Sequence, residues 1–274
     1  MAALTLPVPR PFNWRVFFIV WALAVMGGVA VVPYALTLQA ETLATAELPI
    51  PLPVLIAIQI GQQALLFGLL TGLGLLLATR IGLGLPLLRG WLAGEPVSAR
   101  LKAMLAPAIV LGVLSAGAII ALGLLLFNPL LQAEFKRLGV ELPSNPPPPA
   151  WQGFLASFYG GISEEVLLRL FLLSLLAWLG SRLWRTSSGR PALGVFWVAN
   201  LLAAVLFGLG HLPTAVVAGI PLTPLLVAEI LVLNGLAGLV FGWLYWTYGL
   251  ESAMLAHFSA DIVLHVIAPL VLPQ

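Results

Sequence analysis

The chain has 274 residues, of which 61% are hydrophobic and only 8% are charged. A soluble domain carries charge on about a quarter of its residues, so 12 basic and 10 acidic side chains cannot cover a soluble surface of this size. This composition excludes a soluble enzyme, a disordered chain and a nucleic-acid-binding protein. The complete lack of cysteine excludes disulfides, thiol nucleophiles and cysteine metal sites. The composition therefore predicts an all-α, polytopic transmembrane helical bundle.

Apolar runs of about 20 residues predict seven membrane spans. They lie at residues 16–38, 54–79, 103–127, 151–180, 193–209, 224–247 and 251–272. A shorter apolar stretch at 214–220 is a re-entrant piece or an eighth element, so we expect seven to eight spans. Pro33 predicts a kink in the first span. Gly68 and Gly72 in the second have the GxxxG spacing that permits close helix contact.

A proline-rich segment divides the chain into two parts. Residues 144–149 read Ser-Asn-Pro-Pro-Pro-Pro, which cannot be helical before its last residue. We therefore predict a three-span N-terminal membrane region at 1–145 and a catalytic membrane core at 146–274. Every ionisable residue near the centre of a span lies in this second part, which holds the C-terminal four spans.

The basic residues predict how the chain is oriented. They concentrate in alternate loops, before span one, between spans two and three, and between spans four and five. Their positions are Arg10, Arg15, Arg80, Arg89, Arg100, Lys102, Arg182, Arg185 and Arg190. Because cytoplasmic loops carry the excess of lysine and arginine, we expect a multi-pass protein of the plasma membrane with its N-terminus in the cytoplasm.

Five charged residues fall inside predicted spans, where each costs roughly 2.5–3.5 kcal/mol on insertion scales and needs a reason to be there. They are Glu164, Glu165, Arg169, Glu229 and Asp261. The three histidines of the chain lie in or beside the same spans. For Glu229 we predict a buried structural pairing, whereas the others form the chemically rich part of the sequence.

The fourth span carries two adjacent carboxylates and an arginine. Glu165 and Arg169 are four residues apart on one helix face, in the order that favours an ion pair. Glu164 points about 100° away around the helix and is not paired by this spacing. A buried carboxylate without such a partner suits a general base or acid. A polar clamp between helices, with no chemistry, is the alternative interpretation.

The histidines belong to two further motifs. Pro213 predicts the end of the fifth helix, which places His211 near a helix C-terminus. His257 and Asp261 are four apart on one face, so the carboxylate can orient the ring, and His265 continues that row. Each motif alone is also typical of a structural hydrogen bond. Together with the glutamates they favour water activated by a carboxylate–imidazole pair, with or without a metal.

Three motifs on successive spans resemble one family. They are Glu164-Glu165 with Arg169, Phe207 with His211, and His257 with Asp261. This pattern resembles the CPBP family, which includes the type II CAAX prenyl endopeptidases and the bacteriocin-processing, immunity or abortive-infection proteins of bacteria. The resemblance covers about residues 150–270.

The resemblance implies an intramembrane endopeptidase in which Glu164 and His211 activate water. It assigns oxyanion stabilisation to His257 and Asp261, with Glu165, Arg169 and Phe207 in support. Asp261 stands where some members have asparagine, and an ionised carboxylate cannot donate to an oxyanion. Asp261 is therefore either protonated or orients His257, and we favour the second.

The sequence leaves alternatives open for the cofactor and for the function, and it indicates the partners only by class. We expect no cofactor, although Glu164, His211 and His257 could form a three-ligand zinc site. The predicted partners are the lipid bilayer and a peptide or lipidated peptide, with no nucleic acid. A non-enzymatic bacteriocin-immunity or partner-binding membrane protein is the alternative function. A proton-coupled transporter is a third, but the sequence shows no inverted repeat.

One geometric problem follows from this topology. Straight alternating spans place His211 and His257 toward opposite membrane faces, with Glu164 between them. We therefore expect a helix that is broken, tilted or wrongly bounded, with the segment 213–224 as the candidate.

Overall fold

The computed structural model describes residues 12–140 and 148–272, which are mostly helical. The described part has one isolated antiparallel bridge, between Arg185 and Pro191, and no strand. The helices are α1 Trp14–Ala30, α2 Val32–Leu38, α3 Ala40–Thr45, α4 Leu52–Ile81, α5 Pro86–Leu92, α6 Ser98–Leu122, α7 Asn128–Leu138, α8 Ala150–Phe158, α9 Ser174–Gly180, α10 Leu193–Val217, α11 Pro224–Tyr248, α12 Leu250–Asp261 and α13 Ala268–Val271. The prediction of an all-α chain is confirmed.

Several of these helices join end to end through wide π-type turns. Such turns are at Gly123–Phe127 between α6 and α7, at Tyr159–Glu164 and Val166–Leu173 between α8 and α9, and at Ile262–Ile267 between α12 and α13. π-type turns inside α-helices occur frequently at functional sites. Two of the three joined helices that contain them carry predicted site residues.

Six helical stretches in the described part are long and apolar enough to cross a membrane. They are Trp14–Leu38, Leu52–Ile81, Ser98–Leu138, Leu193–Val217, Pro224–Tyr248 and Leu250–Val271. The helix at 150–180 is also continuous, and at 1.5 Å per residue it is roughly 46 Å long. It differs from the six in carrying three charged residues close together. The polytopic bundle is confirmed, and the count of seven to eight spans stays a prediction.

The predicted end of the fifth helix at Pro213 is wrong. Helix α10 continues through Pro213 to Val217, and the turn ends at Gly219, whose φ is +74°. Proline removes one hydrogen bond, but an apolar environment offers the neighbouring backbone groups no partner outside the helix. Residues 214–217 are therefore the last turn of α10, and the predicted re-entrant piece at 214–220 is not a separate element.

Two other boundaries differ from the predictions in a smaller way. The first span breaks at Val31, and Pro33 is the second residue of α2, so the predicted kink lies within two residues of Pro33. The third span is longer than predicted because it runs on as helix to Leu138. Of the linker at 144–149, residues 144–147 lie outside the described residues, as does Arg10. Pro149 directly precedes the first residue of α8.

Helices from both sides of the linker share one hydrophobic core. It includes Val16 and Val20 of α1, Leu75 of α4 and Phe241 of α11. The predicted division at residue 145 is not tested by this packing, but the N-terminal helices clearly lie directly against those that carry the site. The structure thus allows side chains of the N-terminal helices to reach the predicted site.

Glycines set the closest helix approaches in this core. A Cβ at Gly112 of α6 would overlap the backbone of Ala256 in α12, and one at Gly74 of α4 would lie 2.9 Å from the Leu170 carbonyl oxygen. Gly68 and Gly72 instead face the rings of Trp21 and Phe17 in α1. The GxxxG pair therefore accommodates aromatic side chains rather than a second backbone.

Gly112→Ala tests this close packing. We expect a loss of roughly 1–3 kcal/mol in stability, because the methyl group must push α6 away from α12. The matched control is Gly117→Ala in the same helix, where a Cβ meets no atom within 4 Å. Thermal unfolding in detergent measures both variants. An equal response of the two would contradict the assigned contact.

Candidate active site

The centre of the site is one oxygen of Glu165. Its Oε1 accepts a hydrogen bond from Arg169 Nη1 at 2.7 Å, so the predicted ion pair is present. The same oxygen accepts a second hydrogen bond from His257 Nδ1, also at 2.7 Å. The Glu165 and Arg169 side chains are 0% and 2% exposed. Because a buried charge needs a partner, this arrangement fixes α12 against the helix that carries both residues.

Arg169 connects this centre to a third helix. Its Nη2 donates to the carbonyl oxygen of Gly238 in α11 at 2.9 Å. The guanidinium also lies over the rings of Phe207 and Phe241, with centroid distances of 5.4 and 5.5 Å. Arg169 is thus held by a carboxylate, a carbonyl and two aromatic faces. Phe207, predicted as a supporting residue, packs here.

The ring of His257 is oriented by Glu165 rather than by Asp261. Since Nδ1–H donates to Glu165, Nε2 points the other way, toward Asp261 Oδ1 at 3.6 Å and Glu164 Oε2 at 3.7 Å. Both distances exceed a hydrogen bond. The predicted role of Asp261 as the orienting group is therefore corrected. The four-residue spacing brings Asp261 to the right face, but the longer side chain of Glu165 reaches the ring from a neighbouring helix.

Glu164 is the accessible carboxylate of the pair. Its side chain is 18% exposed, and it makes no hydrogen bond among the described residues. It faces His257 Nε2, the nitrogen that Glu165 leaves available. The sequence predicts that Glu165 pairs with Arg169 and that Glu164 does not, and this geometry agrees with that prediction.

A glycine pair makes room for these groups. A Cβ at Gly160 would overlap Asp261 Oδ2 and would lie 3.0 Å from His257 Nε2. A Cβ at Gly161 would lie 2.8 Å from Cβ of Phe258. Sequence reasoning missed Gly160, although a double glycine a few residues before two carboxylates in a membrane helix is a usable signal.

His265 and Tyr34 extend the cluster toward the N-terminal part. His265 Nε2 lies 4.0 Å from Asp261 Oδ1, and its Nδ1 lies 3.3 Å from the hydroxyl oxygen of Tyr34 in α2. Tyr34 was not predicted as a site residue. It adjoins Pro33, and the break at Val31 redirects this part of the chain, but nothing in the sequence pairs it with His265.

His211 lies on α10 beside Phe207. Its Nδ1 is 2.9 Å from the Phe207 carbonyl oxygen, and the two rings meet edge to face at 4.7 Å. Phe207 in turn meets His257 edge to face at 5.8 Å. The two histidines are thus linked through one ring without the break in α10 that the topology suggested. Within the described ranges, no hydrogen bond or ion pair joins His211 to Glu164.

Two other predictions concern residues near this cluster. Among the described residues, no group of three His, Asp or Glu side chains could hold a metal ion. The described side chains of Glu164, His211 and His257 are therefore not arranged as a zinc site. Glu229 is only half-buried and pairs with no described residue, so the structural pairing predicted for it is not present.

A helical bundle with an inward-facing carboxylate–imidazole cluster defines a class, the polytopic membrane proteins with a polar interior site. Residues 146–263 match the family model of the Rce1-like type II CAAX prenyl endopeptidases. This match confirms the CPBP family for the C-terminal part and an integral multi-pass membrane protein for the chain. It contains all three motifs, whereas Tyr34 and His265 lie outside it. No curated protein and no solved structure matches the chain.

Arg169→Met tests the buried ion pair. Removing one partner leaves the Glu165 carboxylate buried without its permanent cation, which typically costs about 3–5 kcal/mol. Arg182→Met is the control, because Arg182 is exposed and stacks on Trp178. Thermal unfolding in detergent is expected to show a large loss for Arg169→Met alone. Similar losses in both variants would contradict the structural importance of the buried pair.

Proposed function

We propose that this protein is an intramembrane endopeptidase that hydrolyses a peptide bond near the bilayer with water activated by Glu164 and His211. The observation that carries this proposal is that the two adjacent glutamates differ in their hydrogen-bond partners and in their exposure. Glu165 is committed to Arg169 and His257, whereas Glu164 is partly exposed and has no hydrogen bond among the described residues. A carboxylate in that state can accept a proton from a water molecule.

The two serines of the site region support water as the nucleophile. The hydroxyl of Ser163 donates to the carbonyl oxygen of Ala24, and that of Ser259 donates to Leu255. Each is therefore occupied by a backbone acceptor. Neither has the adjacent base that an activated serine requires.

In the proposed reaction, Glu164 takes one proton from water as the oxygen attacks the peptide carbonyl carbon. The carbonyl oxygen becomes an oxyanion that accepts a hydrogen bond from His257 Nε2–H. In this proposal His257 carries a proton on both nitrogens before the attack: Nδ1–H donates to Glu165, and the surrounding carboxylates stabilise this imidazolium. The proton held by Glu164 then passes to the leaving amine as the C–N bond breaks.

His211 is proposed to assist at the water. Its Nδ1–H donates to the carbonyl of Phe207, which leaves Nε2 as an acceptor. Because His211 and Glu164 are not in direct contact, water or substrate must lie between them for both to act. Such an arrangement requires no metal, and we propose a metal-free mechanism.

The proposed substrate is a peptide or lipidated peptide in contact with the membrane. The family model is named for CAAX prenyl endopeptidases, and a bilayer-embedded site suits an apolar or lipid-bearing chain. Plasma-membrane location, with the N-terminus in the cytoplasm, remains the expectation from the basic loops. A partner-binding protein without catalysis is the other candidate, since binding alone can also use a polar cluster inside a helical bundle.

Peptide cleavage by Glu164→Ala and His211→Ala tests the mechanism. Each substitution is expected to lower the rate at least about 100-fold, since loss of a general base typically costs that much. Glu47→Ala, which removes an exposed carboxylate, is the control and should cleave as wild type does. The assay uses purified protein in lipid nanodiscs with a farnesylated CAAX peptide and its unmodified form.

Equal cleavage by wild type and both site variants would refute the assigned residues. Wild-type protein that binds both peptides and cleaves neither would favour the non-enzymatic alternative. The same assay with a chelator, together with metal analysis of the purified protein, tests the metal-free proposal. Loss of cleavage on chelation, with recovery on adding zinc, would overturn it.

Asp261→Asn tests the corrected role of Asp261. We expect activity within about tenfold of wild type, because Glu165 still orients His257 and an asparagine amide can itself donate to an oxyanion. Cleavage rates measured beside Glu164→Ala give the comparison. A loss as complete as that of Glu164→Ala would show that the ionised carboxylate is itself essential.

A further inference from the structure

A large cavity lies away from the cluster just described. It has a volume of about 1030 Å³ and is formed where α4 ends, α5 lies, α10 begins and α11 passes into α12. Glu164, His211 and His257 do not line it. It is on the side of the bundle that carries most of the basic loops. This cavity takes no part in the proposed hydrolysis and needs its own explanation.

The lining of this cavity has an excess of positive charge. Three arginines, Arg89, Arg100 and Arg190, line it together with one acid, Glu95. Arg100 pairs with Glu95 at 3.5 Å, and both side chains are about half exposed. A further acid, Glu251, interacts electrostatically with Arg89 from behind the wall. Counting both acids, the described residues around the cavity have one positive charge in excess.

Arg89 and Arg190 both pack against one glycine-containing turn. A Cβ at Gly82 would lie 3.5 Å from Arg190 Nη2, and one at Gly84 would lie 3.8 Å from Arg89 Cζ. Both glycines have positive φ, +77° and +142°. Arg89 Nη2 also donates to Thr79 Oγ1 at 3.0 Å, which holds its guanidinium in the wall. Two guanidinium groups directed over one short turn suit bidentate recognition of an oxyanion.

Other arginines on the same side are used differently. Arg80 and Arg182 stack on Trp178, with centroid distances of 5.8 and 4.4 Å, and neither lines the cavity. The positive charge of these loops is thus divided between an aromatic anchor and a cavity. The cavity wall also includes Trp246 and Tyr248, ring types that are enriched at the membrane interface.

We propose that this cavity binds the phosphate of an anionic phospholipid headgroup, held chiefly by Arg89 and Arg190. Basic pockets between membrane helices are known to bind such headgroups. The size of the cavity, its excess positive charge and its interfacial aromatic rings all fit this ligand. Free phosphate has the same chemistry, so the experiment must separate the two sources.

The test measures lipid retention by native mass spectrometry. The full-length protein is released from nanodiscs that contain equal amounts of phosphatidylglycerol and phosphatidylcholine. Wild type should retain phosphatidylglycerol preferentially. The double variant Arg89→Gln/Arg190→Gln should lower that preference at least about tenfold, because it removes charge-assisted hydrogen bonds. The control Arg80→Gln/Arg182→Gln removes the same charge from the same side and should retain the preference.

Further arms decide between ligands. Excess inorganic phosphate should displace phosphatidylglycerol weakly, whereas displacement at micromolar phosphate would assign the cavity to the free ion. Displacement by an acidic peptide more readily than by soluble glycerophosphoglycerol would assign it to a protein partner. Either result, or an equal loss in both double variants, would overturn the proposal. If the glutamine variant does not fold, Arg89→Lys/Arg190→Lys should lose preference while retaining charge, and wild-type preference in it would be a contradiction.

Discussion

The structure depends on a single carboxylate oxygen buried inside a membrane protein. Glu165 Oε1 accepts hydrogen bonds from both Arg169 and His257, and Arg169 also bonds the Gly238 carbonyl. In an apolar interior each of these charges needs a partner, and the partners here lie on neighbouring helices. The helix at 150–180, α11 and α12 are therefore held in register by polar contacts. The small residues around them allow the helices to come close enough.

This commitment of Glu165 determines what its neighbours can do. Because Nδ1 of His257 is occupied, Nε2 is directed to the space between Glu164 and Asp261. Gly160 has no side chain, and this makes room for the Asp261 carboxylate beside that nitrogen. Glu164 is adjacent to the buried Glu165. Its side chain is partly exposed and makes no hydrogen bond among the described residues. A structural ion pair and the carboxylate that we propose as the general base thus lie at adjacent positions of one helix.

The ion pair within one helix could be predicted from the sequence, whereas the orienting contact predicted between His257 and Asp261 is made by Glu165 instead. Contacts between helices largely could not be predicted. The spacing of Glu165 and Arg169 predicted their ion pair, and apolar runs located the spans, although the third and fifth helices continue well past their predicted ends. The partner of His257 Nδ1, the role of Gly160 and the approach of Tyr34 depend on how neighbouring helices are rotated and how deeply each is set. The π-type turns alter that rotation, and hydropathy does not report them. The helix end predicted at Pro213 is wrong because proline ends helices less strictly where the neighbouring backbone groups have no water to bond.

The most direct test of this account compares Glu164→Gln with Glu165→Gln, which make the same chemical change at adjacent positions. Thermal unfolding and peptide cleavage are measured on both proteins in the same lipid nanodiscs. The account predicts that Glu164→Gln unfolds at the wild-type temperature but does not cleave, whereas Glu165→Gln unfolds at a clearly lower temperature. Wild-type cleavage by Glu164→Gln, or wild-type stability of Glu165→Gln, would contradict it.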